Sequence, residues 1–236
     1  MQPTAMPARA PLTGISSMAT RQLLAELTDA YTARSGQPVA IASVGGVDAA
    51  KRVQAGEAFD VVILASDAIT KLVVYGHLRA DSVVDLVHSG VAVAVSAGTP
   101  QPDISGEDAV RLAILAAPTL SYSTGPSGVA LAQLFARWGI AEQIKERIVT
   151  APPGVPVGSL VAKGEVALGF QQLSELIHVD GIAIVGPLPP AIQITTTFTA
   201  AMTTRCTRPA DVQALLDFMV SPVAAEAKRR QGMEPA

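Results

Sequence analysis

Short apolar runs alternate along this chain with apolar residues at helical spacing, and small residues mark most of the joins. Leu12 to Ser17 reads as a short strand ending in Ser16-Ser17. Leu23, Leu24, Leu27, Ala30 and Tyr31 then share one face of a helix that Gly36 stops. Val39 to Val44 predicts a second strand ending at Gly45-Gly46, followed by a helix over Asp48 to Gln54 closed by Gly56. Phe59 to Ala65 is almost continuously apolar, as expected of a strand covered on both faces of a parallel sheet. Ser66 is positioned to cap the next helix, Ile69 to Tyr75. Units of strand, small-residue corner and helix predict a parallel sheet whose ligands collect at the carboxyl ends of the strands. Here those ends are Ser16-Ser17, Gly45-Gly46 and Ala65-Ser66.

A second section opens at Val91 to Val95. A Pro/Gly loop, Gly98 to Ser105, leads to a helix over Gly106 to Ala116 that is apolar on most sides and is expected to be well buried. Leu120 to Tyr122 predicts a strand, and Ser123-Thr124-Gly125-Pro126-Ser127-Gly128 a corner. Val129, Leu131, Leu134, Phe135 and Trp138 continue at helical spacing. Hydroxyls and the free N–H groups of a helix's first turn bind anions without Lys or Arg, although a plain cap and turn has the same composition. A more polar helix around Ile144 and Arg147 and the loop Pro152-Pro153-Gly154-Val155-Pro156 come next. Val157 to Ala162 predicts a short helix with Gly158 and Ser159 in its first turn, Val166 to Phe170 a strand ending at Gln171-Gln172, and Leu173 to Ile177 a further helix. After Ile182 to Val185, Gly186-Pro187-Leu188-Pro189-Pro190 is the most conspicuous linker. Ile192 to Met202 reads as a long strand, and helices over Pro209 to Val220 and Pro222 to Gln231 finish the chain.

Composition narrows the function. The 236 residues are 49% hydrophobic and 16% charged, enough for a large core in one α/β domain or two small lobes. A net charge of −3 does not suggest a nucleic-acid surface, so a bound anion would rely on local dipoles and a few cations. The single Cys206 excludes an internal disulfide and a cysteine zinc site, and His77, His88 and His178 are scattered; neither a metal nor a cofactor is expected. The Pro/Ala-rich tail Met1 to Pro11 has no apolar run long enough for a secretory signal or a membrane span. The expected location is the periplasm if a signal has been removed, and otherwise the cytoplasm.

The order of these units resembles the periplasmic molybdate-binding proteins, class II solute-binding proteins of ABC importers. The resemblance rests on the serine corner, the Gly-Gly corner, Phe59 to Ser66, the central Pro126-Ser127-Gly128 and Val157 to Phe170. It implies a class II periplasmic-binding-protein-like α/β fold of two lobes, each a mostly parallel sheet flanked by helices, with the ligand in the cleft between them. Lobe one would be 12–84 plus 195–236 and lobe two 85–190, with the hinge or crossover at 186–194. A small anionic ligand is implied, and an ABC permease partner if the chain is exported; neither nucleic acid nor a membrane span is expected.

That family holds an oxyanion with serine hydroxyls, helix-start amides and a tyrosine. Ser17 matches its first serine, Ser127 with Gly128 the central corner, and Val157 the residue whose N–H serves the ligand. Val47 stands where a second serine should follow Gly-Gly, and Gln172 where the tyrosine should follow the late strand. Unpaired oxygens cost about 1–3 kcal/mol each, so a di- or tricarboxylate suits the chain better than molybdate. Ser16, Gly45, Gly46, Gly158, Lys51 and Arg52 complete the candidate ligand set, Arg52 because a guanidinium can grip a carboxylate with two hydrogen bonds. Lys51, Arg52 and Arg21 fit a solvated helix face equally well. Bacterial aconitate isomerase is similar to this family, which keeps a second reading open: proton transfer interconverting trans- and cis-aconitate. Its base would come from His88, Asp48, Glu175 or Tyr122, none of which has a sequence partner to tune it.

Overall fold

In the computed structural model, residues 9–152 and 154–236 are described; most of the N-terminal tail (1–8) and Pro153 of the predicted loop lie outside them. β1 (Leu12–Ser17) lies between β2 (Val39–Val44) and β3 (Val61–Ala65), parallel to both. α1 (Arg21–Ser35), α2 (Gly46–Gln54) and α3 (Ser66–Val74) follow these strands in turn. Gly36, at φ 70°, closes α1 in the left-handed conformation that suits glycine. The run through β3 is explained by two-sided cover. Val61, Ile63 and Ala65 join Leu23, Leu27, Leu216 and Met219 in one cluster, whereas Val62 and Leu64 join Ile15, Val53, Ile69 and Leu72 in another.

β4 (Val84–Ser96) is much longer than the predicted Val91–Val95, because its first half is held by a partner distant in sequence. β8 (Thr195–Met202) runs antiparallel to both β3 and that half of β4. The second half of β4 pairs antiparallel with β6 (Leu168–Gln172) and β7 (Ile182–Pro187), and β5 (Leu120–Tyr122) runs parallel to β6. The order is β2-β1-β3-β8-β4-β6-β5, with a short β9 (Glu234–Pro235) on β4. The result is a mixed sheet: parallel where βα units form it, antiparallel where β4 and β8 join the two parallel groups.

α4 (Glu107–Ala116), α5 (Pro126–Arg137), α6 (Ala141–Ile144), α7 (Val157–Ala162) and α8 (Leu173–Leu176) belong to the middle of the chain. There Val91, Val93 and Val95 pack with Leu131, Phe135, Leu168 and Phe170, and Ala92 and Ala94 with Leu176 on the opposite face. α9 (Pro209–Val220) and α10 (Ala225–Arg230) close the first cluster. Three local expectations are corrected. Ser66 begins α3 instead of capping it, since Ala65 occupies the cap position. Leu112 on α4 is 62% exposed and Val129 on α5 is 56% exposed, so each helix buries a narrower stripe than its apolar composition suggested. The final helix is split into a 3-10 turn at Pro222–Ala224 and α10.

Candidate functional site

Strand register shows where the tips point. Phe198 of β8 lies opposite Ala65, so Thr195–Thr197 extend beyond the end of β3. From the other side, Gln172 ends β6 opposite Val91, and its Nε2 donates to Thr196 Oγ1 at 2.8 Å. Tyr122 lies beside Phe170, so the Ser123–Gly128 corner leaves the sheet at the same edge as Gln172. α8 packs against the 3-10 turn Met18–Thr20 that follows β1. The carboxyl ends of β1 and β3 therefore face those of β5 and β6 across the crossover of β4 and β8.

On one side, Ser17 is half-buried and its Oγ accepts the Ala19 N–H at 3.4 Å. A Cβ built on Gly46 would lie 3.8 Å from that Oγ, which places the first two corners side by side. Gly45 caps α2, whose first turn exposes Val47 (59%). Ser16 does not share this setting: it is fully buried and its Oγ pairs with Ser43 Oγ at 2.8 Å.

Lys51 and Arg52 lie in the last turn of α2, Arg52 roughly 9 Å along the axis from Gly46 at 1.5 Å per residue. The carboxylate that Arg52 grips with two hydrogen bonds is the chain's own Glu57, and its guanidinium also covers the Phe59 ring at 5.5 Å. Arg21 lines a groove of about 550 Å³ between α1 and the edge strand β2, away from the crossover.

On the other side, Ser127 is buried and its Oγ lies 3.0 Å from Ser123 Oγ, whereas the Gly128 N–H is already spent on the Gly125 carbonyl at 3.0 Å. A Cβ on Gly128 would sit 1.5 Å from the Ser123 carbonyl oxygen, so glycine is what lets the corner fold back onto α5. Val157 is buried at the start of α7. The Gly158 N–H donates to Gln171 Oε1 at 3.1 Å and is therefore committed within the fold. Gln172 is 4% exposed; with Nε2 on Thr196, its Oε1 has no protein partner, and neither do the buried Ser89, Ser121 and Ser174 hydroxyls among the described residues. Buried polar atoms are nearly always paired, so these four, on β4, β5, β6 and α8, are exceptions, as is Gln37 Oε1 beside Pro38.

Of the candidate bases, Asp48 is exposed in the first turn of α2, and His88 Nδ1 lies 2.9 Å from Thr197 Oγ1. Tyr122 packs edge-on against Phe135, and burial raises its phenol pKa. Glu175 differs. Burial pushes its carboxyl up to about 7, partly offset by the hydrogen bond from Gln171 Nε2 at 2.9 Å. No spacing rule singles Glu175 out, because burial of its carboxyl depends on α7 and α8 meeting over β6. The folded state favours its neutral form, so this contribution to stability is present below pH 4.5 and is lost as pH rises through 7. Glu175→Gln is expected to remove roughly 3 kcal/mol of that decline, read as converging melting temperatures at pH 4.5 and a more stable variant at pH 8.

The model of the bacterial extracellular solute-binding proteins matches residues 12–234. A Pseudomonas aconitate isomerase is 39% identical over 232 residues, covering 95% of this chain and 87% of that protein. The Azotobacter vinelandii periplasmic molybdate-binding protein superposes with a TM-score of 0.79 at 22% identity, over 95% of this chain and 99% of that one. A sulfate-binding protein from Mycobacterium tuberculosis gives a TM-score of 0.79 at 17% identity, over 97% and 88% of the two chains. With the molybdate-binding type of fold and matches spanning nearly all of its length, the chain belongs to the bacterial extracellular solute-binding protein family.

Proposed function

We propose that this chain binds a tricarboxylate of the aconitate class between the two sets of strand tips and interconverts its trans and cis forms. The observation that carries the reading is the chemistry of the crossover: hydroxyls at Ser17, Ser123 and Ser127, helix starts at Gly46 and Pro126, and the unpartnered buried Oε1 of Gln172. Such a surface suits an extended anion with several oxygens, held by dipoles rather than by a cation. Val47 and Gln172 fit a small tetrahedral oxyanion less well than the serine and tyrosine expected in the molybdate-binding proteins. The relative named aconitate isomerase supports the same substrate class.

We propose lobe crossings at Gly90–Val91 and Gln193–Thr195, the first later than the expected boundary at 84/85, because Leu86 and Val87 pack in the first cluster while Leu188 and Ile192 pack in the second. Gln193 ties these crossings together: its Oε1 accepts the Val91 N–H at 3.0 Å and its Nε2 donates to the Leu188 carbonyl at 3.3 Å.

The family favours a second reading, an exported carboxylate receptor that serves an ABC permease without turnover. A melting-temperature panel of trans-aconitate, cis-aconitate, citrate, sulfate and molybdate, with trans-aconitate conversion followed by absorbance, separates the two. A ligand at 100 times its Kd adds about 2.7 kcal/mol, or roughly 5–10 °C for a chain of this size. Turnover supports the isomerase, and a carboxylate shift without turnover leaves the receptor. A response to molybdate or sulfate alone contradicts both.

A further inference from the structure

We propose that Glu175 is the catalytic residue that carries the proton in the isomerisation, with Gln171 as its positioning residue; this rests on the isomerase reading above. α8 begins directly after the tip of β6 and packs on the 3-10 turn after β1, so Glu175 sits at the junction of the opposed tips. Its carboxyl is clamped. Gln171 Oε1 is fixed by the Gly158 N–H at 3.1 Å, which commits Nε2 of the same amide to Glu175 Oε2 at 2.9 Å. The other oxygen, Oε1, takes no hydrogen bond among the described residues and is not among the fully buried unpartnered atoms, which leaves it free to act on a substrate. The neighbouring Ser174 and Gln172 each hold a buried polar atom without a protein partner.

Among the described residues no charged group forms an ion pair or a hydrogen bond with Glu175, although the end of α10, with Lys228, Arg229 and Arg230, meets α8 where Gly232 lies against Leu173. α7 (Val157–Ala162), the turn Met18–Thr20 and the stretch Val91–Val95 contain no ionisable side chain, and His178, just beyond α8, is exposed and engaged with Gln231. Burial without a paired cation is what holds the carboxyl near neutrality, where giving and taking a proton are comparably easy.

The step balances without oxidant or cofactor. Glu175 takes one proton from the methylene carbon of trans-aconitate, and the electron pair spreads over the adjacent double bond and the carboxylate conjugated with it. The same proton returns to the former vinylic carbon, which moves the double bond by one position and allows the cis geometry.

The test compares trans-aconitate turnover and trans-aconitate thermal shift in the unsubstituted protein, Glu175→Gln, Glu175→Asp and Gln171→Ala. Glu175→Gln is expected to keep the shift and lose turnover by at least about a hundredfold. Glu175→Asp retracts the carboxylate by one methylene and should lower kcat with little change in KM, which keeps the question decidable if the Gln variant does not fold. Gln171→Ala removes the hydrogen bond that lowers the Glu175 pKa, so the acidic limb of the kcat profile should move to higher pH. Full turnover in Glu175→Gln, unchanged kcat in Glu175→Asp, or loss of the thermal shift together with turnover overturns the assignment alone. An unsubstituted protein that binds trans-aconitate without converting it overturns the isomerase reading and this assignment with it.

Discussion

Phe135→Ala is expected to lower stability by about 3–5 kcal/mol, the usual cost of emptying a large buried aromatic site. Phe135 is 1% exposed and ties α5 to the strands β5 and β6. Its ring centroid lies 5.6 Å from Tyr122 on β5, 6.2 Å from Trp138 at the end of α5, and 6.3 Å from Phe170 on β6. Two of these contacts are edge-on, the arrangement that aromatic quadrupoles favour. Because the same helix presents the Ser123–Ser127 corner at its other end, losing the ring should loosen the corner and weaken ligand binding as well as melting. Calorimetry should show the melting temperature down by roughly 6–20 °C. A change of less than about 2 °C would mean that these rings do not hold α5 to the sheet.

Gly128→Ala should come next, at about 3 kcal/mol, the upper end of what overpacking costs. The added methyl meets the Ser123 carbonyl oxygen at 1.5 Å, and a backbone atom cannot turn aside as a side chain can. Relief requires displacing Ser123 to Gly125, which breaks the Ser123–Ser127 hydroxyl contact at 3.0 Å and the Gly128 N–H bond to Gly125. The expected result is a melting temperature lower by roughly 6–12 °C together with a loss of trans-aconitate affinity. An alanine variant with unchanged melting and unchanged affinity would show that this corner has room that the geometry denies.

Much of this architecture is legible in the sequence because it is written locally. The corners at Ser17, Gly46 and Ser127, the continuous apolar strand through Val61–Ala65 and the helix over Pro209–Val220 all follow from neighbouring residues. What escapes is set by distant partners. Val84–Gly90 carries Asp85 and His88 among its apolar residues and falls outside the expected strand Val91–Val95, yet β8 makes it half of a long strand. Val129 lies on an apolar helix pattern, but the core meets the stripe of Leu131, Leu134, Phe135 and Trp138 instead. Arg52 looks available for a carboxylate until Glu57, five residues on, takes up its guanidinium. Glu175 is one of four unremarkable candidate bases in the sequence, and only the meeting of α7, α8 and β6 gives it a clamped and desolvated carboxyl.

Titration calorimetry of trans-aconitate against the unsubstituted protein, Ser17→Ala and Ser127→Ala addresses most directly whether one anion is gripped from both groups of parallel strands. Each hydroxyl contributes a hydrogen bond to a charged group, so each substitution should weaken the same ligand by about 1.5–3 kcal/mol, tenfold or more in Kd. Affinity that falls for one variant and stays unchanged for the other, or that stays unchanged for both, would contradict a ligand shared between the opposed tips.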